Sequence, residues 1–134
     1  MQYEPTSPAI LNAVASFLME HVAPTIEEPA LAYRLRIAAH LAQVVARELE
    51  RTDLAEAGEL ERLRALLQAE GEEPLTCGER RSAIKELNEM LAHNLRAGVE
   101  AERIGDVLRH LKKTLQDQVQ VLDPRFDMRL DIED

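Results

Sequence analysis

The chain is 134 residues long, the size of a single domain, and 46% of it is hydrophobic, enough to bury a real core. A formal charge of −9 repels phosphate backbones and anionic lipid, which disfavours nucleic acid and membrane surfaces as partners. With no Trp, two Tyr and two Phe, that core has to be aliphatic, a diet of Leu, Ala, Val and Ile that suits helices better than sheets.

In chain order, the first helix signal is TSPAILNAVASFLMEHV. Thr6 or Ser7 can cap it, and Pro8 falls in the first turn, where a missing N–H costs nothing. Ile10, Leu11, Val14, Phe17, Leu18 and Val22 follow the 3–4 rhythm of one buried face. Pro24 and Pro29 oppose helix interiors and break the pattern. A second helix is expected from near Pro29 to about Arg51. Its Leu31, Leu35, Ala38, Ala42, Val45 and Leu49, flanked by Ile37, Leu41 and Val44, span an apolar arc of roughly 200°, wider than a surface helix needs. That arc marks it as the centre of the fold. Arg34 and Glu48 lie in or near the arc and are expected to pair with other helices.

Asp53 can cap a third segment carrying Leu54, Leu60, Leu63, Leu66 and Leu67. Gly58 weakens its start, so the second and third segments read either as one long bent helix or as two. TCGERRSAIKELNEMLAHNLRAG opens with a capping box, Thr76 to Glu79, repeats Ile84, Leu87, Leu91 and Leu95, and stops at Gly98. A last helix holds Ile104, Val107, Leu108, Leu111, Leu115, Val119 and Leu122 and ends at Asp123–Pro124. In the tail, Phe126, Met128, Leu130 and Ile132 alternate with charges, which is a strand period that needs a sheet edge or a second copy. The plainer expectation there is an extended arm pinned by Phe126. The expected architecture is all-α, a four- to five-helix bundle with an extended C-terminal tail. It forms one domain over residues 1–134, with its core at about 6–124 and its arm at 125–134.

No run of about 18 apolar residues can span a bilayer, and no apolar signal-peptide core follows a basic start. One Cys makes no internal disulfide, which fits a reducing cytoplasm. The residues three before His21, His40, His93 and His110 are Leu18, Ile37, Met90 and Val107, so the Glu-x-x-His pairs of di-iron bundles are absent. There is no HExxH, paired CxxC, calcium loop or phosphate-cradling glycine loop, and no metal or cofactor is expected. Cys77 stands at a helix start, where unpaired N–H groups favour a thiolate; the plainer reading is a packed cysteine. Tyr33, Arg36, His40, Gln43 and Arg47 line one helical stripe. It reads either as a solvated face or as an anion groove, with Arg36 and Arg47 clamping a carboxylate or phosphate beside His40.

Four passages, PAILNAVASFLMEHVAP, YRLRIAAHLAQVVARELE, LNEMLAHNLRAG and DPRF, together resemble an uncharacterised bacterial family of small helical proteins, a domain of unknown function. The resemblance covers about residues 5 to 126 and rests on the order of the passages. Arg36, Ile37, Ala38 and Ala39 are similar to the family's Arg-[Val/Ile]-Ala-Ala-Asn, with His40 replacing the Asn, and Ala46, Arg47, Glu48 and Leu49 match its Ala-Arg-Glu-Leu. The closing DPRF is similar to its Asn-Pro-Arg-aromatic ending, and residues 127–134 extend beyond it.

The resemblance implies a neighbourhood, since members are encoded beside or fused to aminoglycoside-phosphotransferase-like kinases and acyl-CoA dehydrogenases. It carries over no catalytic residue. The leading expectation is a non-catalytic helical accessory protein in the cytoplasm, with such a kinase or dehydrogenase as partner. The alternative is a module that binds a small anion, an acyl-CoA or phosphorylated metabolite, on the face of Tyr33, Arg36, His40 and Arg47. An enzyme with Cys77 as nucleophile comes third. The tail and a mostly aliphatic surface leave a homodimer open.

Overall fold

The computed structural model describes residues 4–98 and 101–126. The fold is all-α, as expected, with helices α1 (Ser7–Phe17), α2 (Pro29–Leu67), α3 (Cys77–Ala97) and α4 (Ala101–Leu122). The strand-period residues Met128, Leu130 and Ile132 lie outside the described residues.

Thr6 caps α1, its hydroxyl accepting from the Ala9 N–H at 3.4 Å, with proline in the first turn. The chain then passes through a π turn, Leu18–Val22, and a 3-10 turn, Ala23–Thr25, before Ile26 becomes extended. Pro24 fits here because it lies in the first turn of that short element, where no i−4 bond is lost.

Of the two alternatives for the middle of the chain, a single helix forms: α2 runs unbroken for 39 residues through Asp53 and Gly58. Asp53 therefore caps nothing. Its carboxylate accepts from the Cys77 thiol at 3.3 Å and pairs with Arg80 at 3.5 Å. One and two turns further on, Glu56 meets Arg81 at 2.7 Å and Glu59 accepts from Asn88 at 3.3 Å. This acidic row, three residues apart along one helix face, gains partners only if α2 stays helical. Those contacts offset the cost of about 1 kcal/mol for a glycine inside a helix.

The chain's contacts gather into two units: residues 1–52 with 121–123, and residues 53–120 with 124–134. In the first unit the fully buried positions are small: Ala15, Ala23, Ala32, Ala39 and Ala46, joined by Val44 and Val121. Ala32, Ala39 and Ala46 stand seven apart and so share one line of α2, where small side chains permit close helix approach. Arg47 closes the unit by donating from Nε to the Val121 carbonyl at 2.6 Å and from Nη2 to Leu122 at 3.2 Å. Both are carbonyls left without helical partners at the end of α4. The wide apolar arc read from the sequence is thus only part buried. Leu31, Ile37, Leu41, Val45 and Leu49 remain 42–57% exposed.

In the second unit, Leu60, Leu63, Ile84, Leu91 and Val107 form the core, with Leu66, Leu67, Ala83 and Leu87 packed against it. After α2, Arg64 holds the outgoing chain, Nη2 donating to the Glu72 carbonyl at 2.7 Å. The connector returns along α2, so Cys77 begins α3 beside Asp53, and the two helix segments run parallel. The capping box forms as expected, with Thr76 Oγ1 accepting from the Glu79 N–H at 3.1 Å and the Glu79 carboxylate accepting from Thr76. Gly98 ends α3 at φ 100°, a conformation that side chains disfavour. α4 then runs antiparallel to this part of α2, since Arg103 reaches the Leu66 carbonyl at 3.1 Å and Thr114 meets Arg62 at 3.2 Å.

The orientation of α4 departs from expectation. Val107 and His110 are buried, with Thr114 and Asp117 half-buried beneath the same seam. Ile104, Leu108, Leu111, Leu115 and Leu122, whose rhythm predicts a core face, stay 40–57% exposed. On the inward edge of α4 the Arg62 guanidinium engages Thr114 at 3.2 Å and Asp117 at 3.9 Å.

Candidate functional site

The stripe singled out in the sequence divides. Tyr33 is 64% exposed, and Arg36 and His40 are exposed as well. Arg47 is half-buried, with two donors engaged by the α4 carbonyls, so its first role is that of a helix cap. Arg34 and Glu48, expected to pair with other helices, take part in none of the ion pairs of the described residues.

A second arrangement was not legible in the sequence. Between α2 and α4 of the second unit lies a groove of about 620 Å³, whose walls carry Arg62, Arg109, Lys112 and Lys113 beside Ala65, Leu66 and His110. Three of the cations have carboxylate neighbours: Arg109 with Asp106 at 2.7 Å, Lys113 with Asp117 at 2.7 Å, and Arg62 with Asp117 at 3.9 Å. Among the described residues Lys112 has no such partner. His110 is only 5% exposed, and its Nδ1 meets no hydrogen-bond partner, as is also true of Arg62 Nε. Burial, and next the Arg62 charge, push the His110 pKa below its ordinary value, against a smaller opposing pull from Glu59. Both larger effects favour the neutral imidazole of His110.

Both atoms are sealed from solvent, and a buried polar atom without a partner carries a desolvation cost that the packing around it has to offset. The chemistry suits an anion with an apolar body: cations at the rim, Leu66 and Ala65 in the wall. The sequence hint was the run Arg109-His-Leu-Lys-Lys113 in an acidic chain; the missing half, Arg62, comes from another helix.

The other flank of α4 is the exposed apolar stripe from Ile104 to Leu122, spaced by three, four and seven residues as in a helix that packs against a partner. Cys77 is exposed, and its hydrogen bond goes to Asp53. Among the described residues no three of His, Cys, Asp and Glu cluster to hold a metal ion, and no helix is long and apolar enough to cross a membrane.

No curated protein matches the chain, and no solved structure does. A family model described as Domain of unknown function (DUF6285) matches residues 24–126. The span takes in α2, α3 and α4 whole, through Phe126, and leaves α1 ahead of it. As that span is well over half of the 134 residues, the chain belongs to DUF6285, a family of domains of unknown function.

Proposed function

We propose that this protein is a non-catalytic helical accessory module of the bacterial cytoplasm that docks on a larger enzyme. The partners are those implied by the family resemblance, an aminoglycoside-phosphotransferase-like kinase or an acyl-CoA dehydrogenase. The observation that carries this reading is the apolar stripe of α4, five large side chains 40–57% exposed along one helix face. A contiguous apolar patch of this kind on a protein surface marks an interaction site, and helix-in-groove docking is the mode it suits. Arg109, Lys112 and Lys113 on the far flank add charges that can meet an acidic rim. The lone cysteine agrees with a reducing compartment.

Co-expression with the neighbouring kinase or dehydrogenase tests it. The pair is expected to co-purify and the partner's activity to change on binding. Pairs that never associate, with activities unaltered, contradict the proposal.

A second reading, a module for a small anion such as an acyl-CoA or phosphorylated metabolite, is favoured by the four cations, Arg62, Arg109, Lys112 and Lys113, that line one groove. In this reading the groove, rather than the Arg36 and Arg47 face, holds the ligand, because Arg47 is already engaged. Thermal-shift titration with coenzyme A and with inorganic phosphate distinguishes the two faces. Lys112→Ala should remove the shift and Arg36→Ala should keep it; the reverse pattern returns the site to α2.

A further inference from the structure

The open side of α2 in the first unit carries a pattern that specifies its occupant. Arg34, Leu41 and Glu48 are seven residues apart and fall on one line of the helix. Ile37 and Val45 stand four residues to either side of Leu41 on the same face. Leu41 is 56% exposed, Ile37 42% and Val45 43%. Arg34 and Glu48 are exposed too, and no ion pair of the described residues includes them.

The order along this line is cation, leucine, anion. A twofold axis through Leu41, perpendicular to the helix, reverses that order and lays a second copy's anion on the first copy's cation. Arg34 then meets the second copy's Glu48, and the same pair recurs on the other side of the axis. Ile37 meets Val45, and Leu41 meets its own counterpart. A parallel pairing sets Arg34 on Arg34 and Glu48 on Glu48, which costs several kcal/mol in like-charge contacts and is excluded by the same pattern. We propose that the Leu41 face of α2 is a homodimer interface in which two copies of α2 pack antiparallel about this axis.

The area agrees. Leu31, Ile37, Leu41, Val45 and Leu49, each about half exposed, offer on the order of 450 Å² of apolar surface per copy. Ile10, Val14 and Phe17 form a second stripe in the same unit, on α1, and are 47–56% exposed. The α2 faces of two copies together offer about 900 Å² of apolar surface, the apolar share of a standard-size interface once its polar rim is counted. An isologous contact needs a self-complementary patch, and the Arg34–Leu41–Glu48 line is one.

Analytical ultracentrifugation of the full chain tests this. At 100 micromolar, the wild type is expected as one species of about 30 kDa, twice the chain mass of 15.1 kDa. Leu41→Asp places two carboxylates on the axis and should raise the dimer dissociation constant at least about 100-fold. Arg34→Glu and Glu48→Arg should each weaken the dimer about tenfold, and the double exchange should recover it.

Register is read by disulfide trapping in a Cys77→Ser background. Leu41→Cys should cross-link to its own counterpart on oxidation. Arg34→Cys should not, since its counterpart lies about 21 Å away along the helix. A monomeric wild type, a dimer indifferent to Leu41→Asp, a double exchange no better than either single one, or cross-linking at Arg34→Cys instead overturns the interface. If Leu41→Asp loses helical circular dichroism, the charge exchange decides.

Discussion

His110 and Arg47 show how two side chains of ordinary type acquire particular duties from their surroundings. His110 is buried beside Arg62, and both effects disfavour its charged form, so the native state resists protonation that the unfolded chain accepts. As pH falls through the ordinary histidine value of 6.5, the unfolded state takes up a proton first and native stability is lost. The urea midpoint should therefore be lower at pH 5.5 than at pH 7.5, and His110→Gln should reduce the difference. An unchanged pH dependence in that variant would assign the effect elsewhere. Arg47 presents the opposite case, a residue that a family pattern and a helical stripe both bring forward and that the structure uses as a cap. Removing its two bonds to the α4 carbonyls in Arg47→Ala should cost about 1–2 kcal/mol in chemical denaturation. Arg36→Ala should stay within about 0.5 kcal/mol, as exposed substitutions usually do.

At the scale of elements, local signals were legible where the chemistry is local. The capping box at Thr76 and Glu79, the Thr6 cap and the Gly98 stop depend on neighbours a few residues away, and each forms where the sequence places it. Gly98 sits at φ 100°, so Gly98→Ala should cost on the order of 1 kcal/mol or more in the same denaturation assay. Gly105 is the contrasting case, inside α4 with nothing within 4 Å of an added Cβ, and Gly105→Ala should stabilise by about 0.5–1 kcal/mol. The continuity of α2 was not legible, because the partners of Asp53, Glu56 and Glu59 lie on α3 and only the fold supplies them. The rotation of α4 was hidden for the same reason. Its hydrophobic rhythm names an apolar stripe without saying whether the chain itself covers it, and the contact from Arg62 to Thr114 lies on the opposite, inward edge. The groove needed the same tertiary information, since Arg62 and His110 come from different helices.

At the scale of the molecule, the described residues of a chain of net charge −9 leave apolar stripes exposed on α1, α2 and α4. Each is the seam of an amphipathic helix, and exposed seams of this kind are characteristic of proteins that complete their packing with a partner. The acidic surface keeps such a molecule dispersed while its faces remain uncovered. The Leu41 face lies in the first unit and the α4 stripe from Ile104 to Leu115 in the second, so the dimer variant Leu41→Asp and a docking variant at Leu111 are placed in different units.

The most direct test of the central claim is the affinity of the purified chain for the kinase-like or dehydrogenase partner, compared between wild type and Leu111→Glu. Leu111 is 40% exposed in the middle of the α4 stripe, so a carboxylate there should leave the fold and its helical circular dichroism intact. Binding by the wild type and a loss of about 100-fold or more in Leu111→Glu are the expected results, as for a charge buried without a partner at an interface centre. Equal affinity for the two proteins, or no binding by the wild type to either partner, would contradict that claim.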